Sequence, residues 1–488
     1  MRSTLSLSGL KEVLKPVHIV YIIIIVGITL RVVGFLTGSV SSDAARYAVM
    51  GNSLPANGEF VMPLGEYWSE NWRPVISHHY SPAYPVYLIP FVAIGGLSPW
   101  AIKFGSFLSG IFLILVVFWA TRDLYGKDKA LLVTAIASLD PVLILTGSIG
   151  YSENLVVLFF VLTIWAILKS LEDDRYMILA GLFAGLAYLT KSSVGWFFLI
   201  AGIAGLLWRF YYMKWKVFKN KSYIIAILIF LCFVAAWSIR NLVHFWDGSA
   251  GGLLSAWQSS ELFAQATGQA FSNPVDFLYI LAVRLPFYIL LFLFVGVYWL
   301  KELKDTPKIS DEHYSGLWLA VGLTYLLAWV ISGIIWTIER NPIFWVDQIR
   351  YVVMANVIVL WLVVKDADIY KPDFRKKFAA MASVFLVVSI LVIAQPKPGA
   401  FHAYDILREN ASDGDVVAID GLMRYEVMVN VGSHLTYVKY EPGVYADFII
   451  SKNLTGPFYG YNLLGIGRSG SSLVGFMPSF DAAVWGRA

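Results

Sequence analysis

Two carboxylates and a scatter of cations stand where an otherwise apolar chain turns polar. Asp43 follows the first apolar run and leads into Ala44-Ala45-Arg46-Tyr47. A carboxylate placed there either takes a proton from an acceptor hydroxyl or amine or caps the amphipathic helix that AARYAVMGNSL can form. Glu153, in GSIGYSENL, falls in a tight turn between two further apolar runs. Acidic residues held near a membrane are costly and are mostly paired or functional. The plain alternative is a Glu favoured at a helix start by the macrodipole. A third group is basic: Lys191, Arg240, Arg284, Arg340 and Arg350. Arg284 stands inside FLYILAVRLPFYIL, where a charge needs an anion, a wet cavity or a carboxylate partner. A lipid-linked phosphate is one such anion, and Arg or Lys would both hold it and stabilise it as a leaving group. Pairing with Asp or Glu, or snorkelling to the interface, is the alternative.

The segment His78-His79-Tyr80-Ser81-Pro82 closes the polar stretch 41–90. Neighbouring histidines in an extended chain point to opposite faces, so they make a poor shared metal site. Hydrogen bonding of one of them, such as His79, to a phosphate fits better. Trp68, Trp72, Tyr80, Tyr84 and Tyr87 suit an interfacial aromatic belt, and one or two could stack on a sugar ring. Cys232 is the single cysteine, which rules out an intramolecular disulfide and a cysteine-based metal centre. No P-loop, dinucleotide fingerprint, HExxH or GxSxG motif stands out, so ATP-driven transport and zinc hydrolysis lack local support. No cofactor is expected and no metal ligands are assigned, with a divalent ion left open.

These side chains must be positioned by elements that lie in lipid. Of the 488 residues, 58% are hydrophobic and only 14% charged, too few to coat a soluble protein of this size. Apolar runs occur at 17–36, 100–120, 130–147, 152–168, 176–189 and 194–208. Others follow at 224–237, 277–300, 317–335, 351–364 and 378–394. About eleven transmembrane helices result, several shorter than the ~20 residues a lone helix needs to cross hydrocarbon. Lys and Arg cluster at 2–15, 122–129, 214–221, 301–308 and 365–377. With eleven spans all of these fall on one side, which the positive-inside rule makes cytoplasmic. The N-terminus is then cytoplasmic, and the stretch 41–90 and the C-terminal tail face outward. The net charge of +4 comes from these loops and is no argument for nucleic acid. The first run lacks a small-residue cleavage site and reads as a retained helix. Beyond Lys397 the chain turns mixed, with a short helix in AYDILRENA and strands in DGDVVAID, LTYVKY and YADFIIS. The expected organisation is an all-α polytopic membrane bundle over 1–396, including an outer loop 38–99, with a small α/β extracytoplasmic domain over 397–488.

At this point the pattern resembles the GT-C class of integral-membrane glycosyltransferases, most nearly the protein O-mannosyltransferase and lipid A aminoarabinose transferase group. Those enzymes carry DEARY-like residues after the first span, where this chain has Asp43-Ala44-Ala45-Arg46-Tyr47. Their first outer loop ends in a basic-Pro-Pro-like segment, answered here by His78 to Pro82. A GLxxGLAxLTKxxxG stretch matches Gly181 to Gly195, a Trp…Arg-Asn pair matches Trp237 to Asn241, and an acidic-x-x-Arg-Tyr element matches Asp347 to Tyr351. Ala44 stands where a second acid is usual, and the Lys of the basic-Pro-Pro segment is absent. The resemblance implies inverting transfer of a sugar from a polyprenyl- or dolichyl-phosphate donor to a lipid, glycan or protein acceptor at the outer membrane face. It implies Asp43 as catalytic carboxylate and Glu153 as a second one in the cleft. His79, Lys191, Arg240, Arg284, Arg350 and Tyr351 are the residues expected around the donor phosphate. Arg46, Tyr47 and Tyr80 are expected to touch acceptor or sugar. The rival reading is a polytopic secondary transporter or lipid flippase, which also buries charges among many spans.

Overall fold

In the computed structural model, the residues described are 16–65, 72–77, 80–191, 205–244, 312–313, 315–323, 353–365, 371–394, 399–420, 424–441, 444–451, 461–467 and 482–487. The expected spans at 277–300 and most of 194–208 and 317–335 lie outside them. So do His79, Arg284, Arg340, Arg350 and Tyr351.

The described chain is mainly helical. Helix α1 (Pro16–Thr37) is followed by α2 (Ser42–Asn57) and a two-stranded ribbon of β1 (Val61–Met62) and β2 (Val75–Ile76). Next come α3 (Ala83–Gly95), α4 (Pro99–Tyr125), α5 (Lys127–Ser138), α6 (Pro141–Ser148), α7 (Glu153–Lys169) and α8 (Tyr176–Thr190). Helices α9 (Lys221–His244), α10 (Val353–Val364) and α11 (Pro372–Ile393) follow, with further helical stretches at 205–213 and 315–323. Among the described residues four helices (α1, α4, α9 and α11) are long and apolar enough to cross a membrane, or five if the bent pair α5–α6 is one span. Ile25, Leu36, Leu115, Leu228 and Leu391 are exposed on them. Such faces are stable against hydrocarbon rather than water, and the chain is an integral membrane protein.

The sequence suggests one span at 130–147, but two helices bent by 54° stand there. Pro141 is the reason: it offers no N–H to the turn before it, and its ring crowds that turn's carbonyl. Pro141 then opens α6 at its first position, with Asp140 as N-cap accepting from Val142 and Leu143 N–H.

The C-terminal stretch holds α12 (Gly399–Asn410), β3 (Val416–Asp420), α13 (Arg424–Val431), β4 (Thr436–Lys439), β5 (Phe448–Ser451), β6 (Tyr461–Gly467) and β7 (Ala482–Arg487). The sheet order is β4-β3-β5-β7-β6, with β3 parallel to β4 and β5, and β7 antiparallel to β5 and β6. Alternation sends Val417 and Ile419 to one face and Ala418 to the other. The Val417 face joins a core shared with α2 and α3 through Ala45, Tyr47, Tyr84, Phe401 and Tyr404. The sheet packs on α12, and α13 beside it packs on α2, the helix that carries Asp43.

Candidate active site

Helix α2 begins where Ser41 accepts a hydrogen bond from Ala44 N–H at 3.1 Å, so Ser41 is the N-cap. Asp43 sits inside the first turn instead, which removes capping as its duty. Its Oδ1 lies 3.2 Å from Nη1 of Arg46, one turn along the same helix. The Asp43 side chain is about one-third exposed, so a solute can reach it. Arg46 is buried and also donates to the Tyr80 hydroxyl. Tyr47 sets its ring edge-on to Tyr80 and to Tyr84, each with centroids 5.2 Å apart. The run Asp43, Arg46, Tyr47 and Tyr80 is one contiguous cluster.

The turn before α7 closes on this cluster. Ser41 N–H donates to Ile149 O at 3.0 Å, and the Tyr84 hydroxyl donates to Gly150 O at 2.8 Å. Gly150 has φ +82, a conformation side chains resist, and an added Cβ would come 2.9 Å from that of Ala44. Ala44 is the small residue this approach requires. Glu153 then opens α7, and its Oε1 lies 2.6 Å from Lys191 Nζ, both side chains being buried. Lys191 ends α8 in an extended conformation, with its ammonium 5.9 Å from the Tyr151 ring centroid. Such a pair is removed from water only when the geometry is good. An ammonium has three donors, so it can hold a carboxylate and a phosphate oxygen together.

Arg240, near the end of α9, is engaged elsewhere. Its Nη2 lies 2.6 Å from Glu59 Oε2, its Nη1 donates to Ser77 O at 2.8 Å, and its guanidinium lies 4.7 Å from the Trp237 ring. It clamps the segment around the β1–β2 ribbon onto α9. Its expected phosphate contact would have to be shared with Glu59, a partner the sequence reading missed.

Other buried charges were also missed, Lys103, Arg31 and Asp140 among them. Lys103 donates to Phe35 O at 2.7 Å and Gly38 O at 2.5 Å, closing the end of α1. Arg31 and Asp140 lie inside the bundle. A charge in an apolar run was the available signal, and it was applied only to Arg284. A cavity of about 520 Å³ between the α1 end, the α3–α4 loop and α12–α13 is lined by Ser39, Lys103, Asp405 and Arg408, among others. It contains neither Asp43 nor Glu153. Among the described residues no three His, Cys, Asp or Glu side chains gather as metal ligands.

Residues 80–239 match the family model described as dolichyl-phosphate-mannose-protein mannosyltransferase, a stretch that includes Glu153 and Lys191. No curated protein matches the chain. The oligosaccharyltransferase of Archaeoglobus fulgidus, solved with zinc and sulfate, aligns over 89% of this chain and 67% of its own, with 14% identity and a TM-score of 0.52. ArnT from Cupriavidus metallidurans, solved with undecaprenyl phosphate, aligns over 96% of this chain and 97% of its own, with 12% identity and a TM-score of 0.43. The arabinofuranosyltransferase AftD from Mycobacteria aligns over 96% of this chain and 40% of its own, with 12% identity and a TM-score of 0.43. The likeness to GT-C integral-membrane glycosyltransferases, carried by the motifs, thus recurs in a family model and in fold.

Proposed function

We propose that this chain is an inverting glycosyltransferase. It moves a sugar from a polyprenyl- or dolichyl-phosphate donor to an acceptor at the outer membrane face. The observation that carries this reading is that Asp43 and the Glu153–Lys191 pair lie on one turn-linked cluster at one end of the bundle. Arg122, Lys127 and Lys129 lie at the other end of α4 and the start of α5, where Lys129 donates to Lys365 O. This polarity supports a cytoplasmic N-terminus, an outward-facing cluster and an extracytoplasmic α/β domain over 397–488; about eleven spans remain part of the proposal.

In the reaction, the acceptor oxygen or nitrogen attacks the anomeric carbon while Asp43 takes its proton. The bond from that carbon to the phosphate oxygen breaks, and the phosphate leaves with the electron pair. Lys191 stabilises the departing phosphate, held in place by Glu153. Arg46, Tyr47 and Tyr80 form the wall beside Asp43 that would meet the sugar or acceptor. His79, Arg284, Arg350 and Tyr351 remain part of the proposed donor-phosphate set, and Arg240 joins it only by sharing with Glu59. Fixed cations can neutralise one phosphate, so the scheme requires no cofactor.

The test is turnover of a donor panel by the purified protein in lipid nanodiscs. Radiolabelled sugars on undecaprenyl and dolichyl phosphate are compared with the same sugars on nucleotides. Release or transfer from a lipid-phosphate sugar, with none from nucleotide sugars, is expected. Turnover of nucleotide sugars alone would overturn the lipid-phosphate donor, and binding of no donor would overturn the glycosyltransferase reading in favour of the transporter.

A further inference from the structure

A break inside a membrane-spanning stretch survives only where every freed backbone group finds a partner. The break between α5 and α6 falls at Leu139-Asp140-Pro141, and side chains from three other helices serve it. Because Pro141 lacks an N–H, the Ala137 carbonyl has no helical donor four residues on, and Asp140 N–H reaches it at 3.4 Å, leaving room for a second donor. Arg31 of α1 supplies one: its Nη2 donates to Ala137 O at 3.2 Å, while its Nη1 donates to Leu143 O at 3.1 Å. Asp140 Oδ1 accepts from Val142 and Leu143 N–H at 2.9 and 3.1 Å, and its Oδ2 accepts from Asn356 of α10 at 3.1 Å. Ser389 of α11 donates to Leu139 O at 2.7 Å.

Among these partners Arg31 differs in one respect. Ser389 touches only the link, whereas one guanidinium grips the last turn of α5 and the first turn of α6 together. It therefore fixes the angle at which α6 leaves the break. Helix α6 is 8 residues long, a rod of about 12 Å. Its far end feeds the 149–152 turn and then Glu153. A second contact runs the same way. A Cβ on Gly110 of α4 would meet Asn154 Nδ2 at 3.0 Å and Arg31 Nη1 at 3.1 Å. The absence of that side chain leaves a slot that Arg31 shares with the residue after Glu153.

We propose that Arg31 is a positioning residue for Glu153, acting through the bent α5–α6 element that it braces. The arginine touches neither Glu153 nor the reacting atoms. It sets where the α6 rod delivers the 149–153 turn, and so where the Glu153–Lys191 pair meets the Asp43 cluster. The catalytic half of this statement rests on the glycosyltransferase reading; the structural half does not.

Two readouts on the full chain in nanodiscs separate the halves. Hydrogen exchange is followed by mass spectrometry in wild type, Arg31→Gln, Arg31→Lys and Ser389→Ala. Arg31→Gln is expected to raise exchange over 149–156 by roughly tenfold while 158–169 and 127–136 stay as in wild type. Ser389→Ala should leave 149–156 unchanged. With polyprenyl-phosphate mannose as probe donor, Arg31→Gln should lower kcat by about 100-fold with KM changed less than about threefold. Arg31→Lys, which keeps the charge but can face only one carbonyl squarely, should fall between on both readouts. It also carries the test should the Gln variant fail to fold. If wild type does not turn the probe over, the exchange pattern decides alone: a rise at 149–156 keeps the positioning role while the glycosyltransferase reading loses its support. Exchange altered only at 137–143, an equal effect from Ser389→Ala, or a raised KM with kcat intact would overturn the proposal.

Discussion

At the scale of residues, the proposed site holds two differently placed carboxylates. Asp43 is reachable by solute and paired with Arg46 on its own helix. Glu153 is buried against Lys191 from another helix. The difference sets what each substitution should do. Glu153→Gln or Lys191→Met leaves its partner uncompensated in the interior, and each should destabilise by about 3–5 kcal/mol. The double variant removes both charges and should regain most of that loss in thermal unfolding, yet stay inactive because no ammonium remains for the phosphate. Additive destabilisation in the double variant would show that the two side chains do not form one pair. Asp43, Glu153 and Lys191 stand out in the sequence as candidates, because polar residues at the ends of apolar runs are conspicuous. Their pairings were not. Arg46 lies one turn from Asp43, but Lys191 is 38 residues from Glu153 and Glu59 is 181 from Arg240. Only the folded chain brings those together.

Elements were readable to the extent that hydropathy and local turn chemistry agree. Strands β3, β4 and β5 fall in the VVAI, TYVK and FIIS stretches whose composition marks them. The bend between α5 and α6 was passed over because the 130–147 run stays apolar across Pro141, and hydropathy does not register a missing N–H. The C-terminal sheet carries its own pH signature. Burial raises the ionisation of the Tyr404 and Tyr437 hydroxyls above the ordinary tyrosine range. The Tyr437 hydroxyl also donates to Gly432 O. Unfolded tyrosines ionise near pH ~10, so below that value the folded and unfolded states bind the same protons and this stabilisation is complete. Above it the unfolded state loses protons first, and stability falls as pH rises. Thermal unfolding followed across alkaline pH should show this loss, and Tyr437→Phe should flatten it. A wild-type stability that stays constant to about pH 11.5 would contradict the assignment.

At the scale of the whole molecule, the C-terminal elements are tied to the segment that follows α2. The Tyr425 hydroxyl donates to Gly65 O at 2.8 Å and accepts from Leu64 N–H at 3.0 Å, while Arg424 lies over Trp72 at 5.0 Å. If the sheet guides the acceptor, Tyr425→Phe should slow transfer several-fold and spare hydrolysis of the donor. Equal losses in both reactions would make the contact a general brace. The membrane character and the cluster of motifs were visible from composition and order along the chain. The docking of the sheet was not, since nothing in Tyr425 distinguishes it from other tyrosines before folding. The proposed reaction turns on Asp43 accepting the acceptor's proton. The most direct measurement is the transfer rate of wild type and Asp43→Asn at saturating lipid-phosphate sugar, alongside donor binding and thermal stability. With Asp43 as the base, a loss of about 100-fold or more is expected, with donor binding and unfolding temperature unchanged. An Asn variant that keeps about a third of the wild-type rate would contradict it, because an amide cannot serve as that base.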